Sequence, residues 1–169
     1  MTDARHLLVV FGASGDLAAR KIGPALAALQ ERRLLPAPFG VLGLGRTPLD
    51  DAAFRSRFAA GSAALDRVPL RYAPMDPADP AAFAGLHARL AVWSRELGTG
   101  GNLLFYLAVP PDLHGPILRG LAAAGLNRPP AESPGAWRRV IVEKPFGRDL
   151  ASAKALNRQL HAAFREAQI

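Results

Sequence analysis

Short apolar runs alternate with longer stretches of helical periodicity along the whole chain. This alternation is typical of a parallel sheet whose strands are joined by right-handed helical crossovers. Strands are predicted at residues 6–11, 39–44, 70–75, 102–108 and 140–143. Helices are predicted at residues 16–33, 49–60, 80–97, 112–124 and 149–165. The pattern therefore predicts an α/β domain built on a parallel sheet.

The first predicted helix carries Gly23 and Pro24 in its interior. Proline removes a main-chain hydrogen bond and clashes with the preceding helical turn. We therefore expect a kink or a restart of the helix at this point. Residues 128–136, which are rich in Pro and Gly, are predicted to form a loop before the last strand.

Two glycines follow the first apolar run directly, and the first predicted helix follows them. This order of strand, turn and helix is typical of dinucleotide-binding crossovers. Gly12 can adopt a backbone conformation closed to other residues, and Gly15 allows a pyrophosphate to approach the N–H groups at the helix start near Asp16. The spacing G-x-x-G-x-x-A differs from the commoner G-x-G-x-x-G, so the turn alone leaves cofactor binding and a purely structural role open.

Length and composition limit the class of protein. The 169 residues are 50% apolar, which favours one domain with a single core. The sequence includes no cysteine, which excludes disulfides and thiolate metal sites, and we predict no metal. The start lacks the basic segment and apolar core of a signal peptide, and no apolar run is long enough to span a bilayer. We therefore expect a cytoplasmic protein without a membrane partner.

The net charge of +7 raises the question of nucleic-acid binding. However, the cations are 18 Arg and 3 Lys spread along the chain among acidic residues, with no aromatic residues interleaved as stacking platforms. We therefore predict no nucleic-acid partner. A positive field would instead favour small anionic ligands such as phosphates.

The second predicted strand leads into Arg46 and Thr47. Domains that bind NAD usually carry an acid here for the ribose 2′-hydroxyl, whereas the 2′-phosphate of NADP requires a cation. Arg46 meets that requirement, and Ser14 and Thr47 are further candidate donors. The alternative interpretation of Arg46 is a solvated surface arginine.

The fourth and fifth predicted strands end on chemically distinctive residues. Pro110 and the proline after it cannot continue a central strand, so the chain must leave the sheet there. Tyr106, near the end of the same strand, is either a core aromatic or a site residue. Glu143 and Lys144 follow three β-branched residues, which suggests a ligand at the strand end or, alternatively, an exposed ion pair.

Four segments, at residues 11–26, 43–46, 105–111 and 142–150, together resemble the successive motifs of the coenzyme domain of the glucose-6-phosphate dehydrogenase family, in that family's order. The resemblance implies a Rossmann-type, doubly wound, three-layer αβα domain over residues 1–169, with strand order 3-2-1-4-5. It also implies hydride transfer from C1 of glucose 6-phosphate to NADP⁺, giving 6-phosphogluconolactone in the pentose phosphate pathway.

The resemblance further implies roles for individual residues. Lys144 would lie between the cofactor and the sugar phosphate, with a cis bond to the next proline, and Lys21 would help to bind the substrate phosphate. No catalytic residue is predicted. The predicted cofactor-binding residues are Gly12, Ala13, Ser14, Gly15, Asp16, Leu17, Arg46, Tyr106, Pro110, Glu143 and Lys144.

Members of the family continue into an Arg-Ile-Asp-His-Tyr-Leu-Gly-Lys segment and a larger β-sheet domain, which supply the histidine and aspartate that act on the C1 hydroxyl. The present sequence stops at Ile169, before that segment. None of its four histidines lies in a matching context. We therefore expect this chain to bind NADP⁺ without catalysing the reaction alone, and to pair with the missing domain or with itself.

Two other interpretations stay open. One is the coenzyme domain of a sugar dehydrogenase of the glucose-fructose oxidoreductase type, which also carries Glu-Lys-Pro but usually has the G-x-G-x-x-G turn. The other is a non-catalytic NADP-sensing module resembling the short-chain dehydrogenases. The catalytic Tyr-x-x-x-Lys of that superfamily is absent, because neither Tyr72 nor Tyr106 has a lysine four residues later.

Overall fold

The computed structural model describes residues 5–131, 133 and 135–169. Its strands are β1 His6–Phe11, β2 Phe39–Gly45, β3 Leu70–Pro74, β4 Leu103–Leu107 and β5 Arg138–Val142. All neighbouring strands are parallel, and their order is β3-β2-β1-β4-β5. The doubly wound fold class and the strand order expected from the sequence are confirmed.

Helices connect the strands at the predicted places. They are α1 Gly23–Glu31, α2 Asp51–Ala59, α3 Ala81–Leu97, α4 His114–Ala123 and α5 Leu150–Ala163. Two begin behind aspartates that cap them: Asp50 accepts from the N–H of Ala53 at 2.7 Å, and Asp149 accepts from the N–H of Ser152 at 2.7 Å. Within the described residues, no helix is long and apolar enough to cross a membrane.

The first helix is interrupted where the sequence predicts it. A π-helical turn over Ala18–Ile22 precedes α1, which restarts at Gly23 with Pro24 in its first turn. The wider π-helical turn before Pro24 accommodates this residue, which has no N–H to donate to the preceding turn. Gly23 has a separate reason: a Cβ at this position would collide with the carbonyl oxygen of Phe58 in α2.

The predicted start of the last strand is wrong by two residues. The strand begins at Arg138, because the guanidinium of this residue is buried and its Nη1 donates to the carbonyl oxygens of Gly101 and Trp137. It ends at Val142, which places Glu143 just beyond the sheet. The fourth predicted helix is also shorter, since a 3₁₀ turn over Pro111–Leu113 precedes α4.

Both faces of the sheet are buried, as in a three-layer domain. Leu7, Val9 and Phe11 of β1 pack on one face in a cluster with side chains of α3, α4 and α5. Leu8 and Val10 face the other way and pack in a second cluster with side chains of α1 and α2. Alternation along β1 thus divides one apolar run between two cores.

We expect the contact between α1 and α2 to make Gly23→Ala destabilising by about 1–3 kcal/mol, because the added methyl group meets main-chain atoms that cannot rotate away. Gly85→Ala is the matched control: it is also in a helix, nothing lies within 4 Å of its Cβ position, and it should stabilise by about 0.5–1 kcal/mol. Urea unfolding measures the change in the free energy of unfolding for both substitutions. Equal effects of the two substitutions would refute the close contact.

Candidate dinucleotide-binding site

Four predicted site segments meet at one edge of the sheet. The register pairs Phe11 of β1 with Leu44 of β2 and with Leu107 of β4, so the carboxyl ends of these strands are level. In open parallel sheets, ligands bind in the crevice outside these ends, where the strand order reverses. Here the reversal lies between β1 and β4.

The turn after β1 is fixed to both neighbouring strands. The N–H groups of Gly12 and Ala13 donate to the carbonyl oxygen of Leu44, at 2.8 and 2.9 Å. Gly12 has φ +81°, and a Cβ there would collide with the carbonyl oxygen of Ala108. Gly12 therefore has a structural requirement for glycine as well as its predicted role in cofactor binding.

Gly15 differs from Gly12. It is exposed, and a Cβ there would lie 3.1 Å from one atom, the carbonyl oxygen of Gly12, which is a tight contact with the main chain of the turn. Helical geometry begins at Asp16 and Leu17, whose N–H groups belong to the first helical turn. The carboxylate of Asp16 lies 4.0 Å from the guanidinium of Arg20, so an ion pair partly offsets its charge.

Arg46 and Thr47 directly follow β2, and Ser14 of the glycine turn lies beside Gly45 at the end of that strand. Gly45 is the last residue of the strand, and a Cβ there would lie 2.6 Å from Oγ of Ser14 and 2.8 Å from Oη of Tyr72. The Tyr72 hydroxyl donates to the carbonyl oxygen of Thr47 at 2.8 Å. Arg46 is exposed and has no hydrogen bond or ion pair with any described residue. Its guanidinium is therefore available to an anionic ligand.

Tyr72 contacts the residues at the end of β2, but the sequence analysis did not predict it as a site residue. Its ring is buried, and this burial raises the pKa of the phenol, whereas a hydrogen bond from Ser14 and the charge of Arg57 act in the opposite direction. The signal that points to it is the register of two strands and not a local pattern: Tyr72 pairs with Gly43 of β2, and Gly45 lies two residues further on. Gly45 leaves space for the Tyr72 hydroxyl at the strand end, whereas the space at Gly43 is filled by the ring of Phe54.

Tyr106 and Glu143 join the ends of β4 and β5. The Tyr106 hydroxyl donates to a carboxylate oxygen of Glu143, and both residues are partly buried. Burial, followed by the hydrogen bond and charge of Glu143, raises the pKa of Tyr106 to about 12. Tyr106 also packs against the cluster beside α1 and α2, in agreement with the core interpretation, and its role in cofactor binding stays a prediction. Glu143 is not an unpaired carboxylate.

The predicted lysines are exposed. Lys144 follows Glu143 and has the cis bond to Pro145 that the resemblance implies. Lys21 lies in the π-helical turn after the glycine turn rather than at a strand end. Neither ammonium group has an anionic partner among the described residues, and Pro110, which follows β4, is also exposed.

The four histidines occupy ordinary positions. His6 begins β1 at the opposite edge of the sheet, His87 is exposed on α3, and His161 lies 3.2 Å from Glu166. His114 begins α4 near the crevice, but it is 2% exposed. Burial lowers its pKa and keeps the ring neutral. None of the four is an accessible base in the crevice.

The donor set fits a dinucleotide phosphate. Gly15 is exposed and has no side chain, so a pyrophosphate can approach the first helical N–H groups beside it. Of the predicted binding residues, the cations Lys21, Arg46 and Lys144 have no anionic partner in the described chain, whereas Glu143 is hydrogen-bonded. An anion at the strand ends therefore meets two cations, Arg46 and Lys144, that have no other partner among the residues the structure describes.

Residues 9–169 match the family model described as "Glucose-6-phosphate dehydrogenase, NAD binding domain". The chain belongs to this family. It is 44% identical to the glucose-6-phosphate 1-dehydrogenase of Treponema pallidum (strain Nichols) and 42% identical to that of Aggregatibacter actinomycetemcomitans. These alignments cover 99% and 96% of this chain, and 34% of each relative. The chain thus spans about a third of the length of the curated relatives it matches.

Solved structures agree with this assignment. A glucose-6-phosphate dehydrogenase in complex with its substrate glucose-6-phosphate superimposes with a TM-score of 0.80 at 27% identity, over 98% of this chain and 36% of that one. Glucose-6-phosphate 1-dehydrogenase from Mycobacterium avium gives a TM-score of 0.77 at 32% identity, over 98% and 35%. The family identified from the motifs is confirmed, and neither alternative interpretation is favoured.

We expect the buried His114 to make the stability of this dehydrogenase domain depend on pH. Because its pKa is lowered from 6.5, the unfolded chain binds a proton that the folded chain does not, so stability is lost as pH falls below about 6.5. His114→Leu should reduce the loss between about pH 7.5 and 5.5, measured by urea unfolding at each pH. His87→Gln, at an exposed site, should show the same loss of stability as the unchanged protein. Equal slopes in all three proteins would contradict the assignment.

Proposed function

We propose that this chain is the NADP⁺-binding domain of a glucose-6-phosphate 1-dehydrogenase, which transfers a hydride from C1 of glucose 6-phosphate to NADP⁺. The observation that carries the proposal is the unpaired Arg46 directly after β2, beside the glycine turn and without a carboxylate at the strand end. A carboxylate there would suit the ribose hydroxyl of NAD⁺, whereas a cation suits the 2′-phosphate.

Each part of the crevice has a proposed task. The N–H groups that follow Gly15 bind the pyrophosphate, and Arg46 binds the 2′-phosphate with a charge-assisted hydrogen bond. The hydrogen-bonded pair of Tyr106 and Glu143, with Pro110, forms the wall beside the nicotinamide. When bound, the nicotinamide supplies the hydride acceptor.

The substrate is proposed to bind on the side of Lys144 and Lys21. A sugar phosphate is an anion, and both ammonium groups are exposed without anionic partners in the described chain. A lysine ammonium has three donors and no acceptor, so Lys144 can orient the phosphate or a sugar oxygen but cannot accept the C1 hydroxyl proton in this form.

Arg46→Ala should weaken NADP⁺ binding roughly 10- to 100-fold and leave NAD⁺ binding almost unchanged, because a charge-assisted bond worth about 1.5–3 kcal/mol exists for one cofactor only. Isothermal calorimetry on this chain measures the affinity for each of the two cofactors. Arg67→Ala is the matched control, since Arg67 is exposed before β3, at the opposite edge of the sheet. Equal losses for the two cofactors would show that Arg46 does not contact the 2′-phosphate.

We expect the 169-residue chain to bind NADP⁺ but not to reduce it with glucose 6-phosphate. Oxidation of the C1 hydroxyl requires a base, and a positioned base typically contributes about 10²- to 10⁴-fold. In this chain, Glu143 is already hydrogen-bonded to Tyr106 and His114 is buried, so neither side chain is in a position to act as that base. The NADPH absorbance should stay flat at saturating sugar phosphate, with a full-length relative as the positive control. Turnover by this chain would reveal a base among its own residues.

A further inference from the structure

The hydroxyl of Tyr72 lies beside the glycine turn and the end of β2, and the proposed function gives this residue no role. We infer that its hydroxyl competes with the cofactor for the hydroxyl proton of Ser14, and so limits the preference for NADP⁺ over NAD⁺. The inference rests on the proposed function, because it concerns the 2′ position of the same cofactor. Tyr72 is here a positioning residue that acts through Ser14.

The geometry fixes the direction of the hydrogen bonds. The Tyr72 hydroxyl has one proton, which it donates to the carbonyl oxygen of Thr47 at 2.8 Å. A carbonyl cannot donate, so the phenol oxygen is left as an acceptor. Oγ of Ser14 converges on the same place, since it and Oη of Tyr72 lie 2.6 and 2.8 Å from the position of a Cβ on Gly45. Any hydrogen bond between these two neighbouring hydroxyls must therefore run from Ser14 to Tyr72, because Tyr72 has given its own proton to Thr47.

The Tyr72 phenol is held in the position from which it can accept a hydrogen bond from Ser14. Tyr72 is 7% exposed, and its ring centroid lies 5.3 Å from that of Phe54. Its N–H donates to the carboxylate of Asp51, at the start of α2, at 2.6 Å. The side chain is thus fixed at its ring, its main chain and its hydroxyl, and it cannot turn away when a ligand approaches.

The two cofactors make different demands on Ser14. A ribose 2′-hydroxyl can donate to Oγ while Ser14 continues to donate to Tyr72, so NAD⁺ leaves the chain of hydrogen bonds intact. A 2′-phosphate has only acceptor oxygens to offer. Ser14 must then give up its bond to Tyr72 before it can donate, which offsets part of its contribution to NADP⁺ binding.

The binding test is a double-mutant cycle on Ser14→Ala and Tyr72→Phe, with NADP⁺ and NAD⁺ titrated separately by calorimetry. With Tyr72 present, Ser14→Ala should weaken the two cofactors to a similar extent. In the Tyr72→Phe background, it should weaken NADP⁺ selectively, by roughly 2- to 10-fold more. Any loosening of the Thr47 carbonyl is common to both Tyr72→Phe proteins and cancels in the cycle. An equal effect of Ser14→Ala in both backgrounds would overturn the inference.

A second measurement needs no cofactor. With ¹³C-labelled tyrosine, assigned by comparison with Tyr72→Phe, the Tyr72 phenol is titrated by NMR. Ser14→Ala should raise the pKa of Tyr72, since the phenolate loses a donor, whereas the remote Ser62→Ala should leave it unchanged. An unchanged value in Ser14→Ala would refute the bond. A raised value in a protein that binds neither dinucleotide would refute the proposed function while the hydrogen-bond direction stands.

Discussion

Main-chain hydrogen bonds at the end of β1 are the constraint on which the rest of this site depends. Two successive N–H groups of the glycine turn converge on the carbonyl oxygen of Leu44, while Ala108 donates to the carbonyl oxygen of Phe11. The turn is therefore bonded to the strands on both sides of the crevice. The closeness of Gly12 to Ala108 leaves no space for a side chain. This junction ties the ends of β2 and β4 to β1, and so fixes where the residues after these two strands begin.

Much of the fold could be predicted because its signals are local. The apolar runs gave β1 to β4 nearly to the residue, and aspartates that cap helices mark the starts of α2 and α5. The restart at Gly23 was also predictable, since proline in a helix interior has a large local cost. Parallel pairing then brings the strand ends to one edge, so the glycine turn and Arg46 could be placed together from the sequence.

The missed features depend on contacts between residues distant in sequence. Arg138 is charged and would ordinarily end a predicted strand, yet it is buried and bonded to the carbonyl oxygen of Gly101, 37 residues earlier. Tyr72 reaches Thr47 across 25 residues, and Tyr106 reaches Glu143 across 37. No local pattern specifies such pairs. They require the register of neighbouring strands, which sequence periodicity alone does not fix.

The charge pattern of the crevice follows from which groups are already paired. The carboxylates nearest the strand ends have partners: Asp16 lies near Arg20, and Glu143 accepts from Tyr106. Arg46, Lys21 and Lys144 have none among the described residues. The net charge of +7 is spread over the whole chain and would attract many anions weakly. Selectivity requires that cations stay unpaired in the crevice while nearby carboxylates are occupied, since a paired cation would have to exchange one partner for another when the ligand binds.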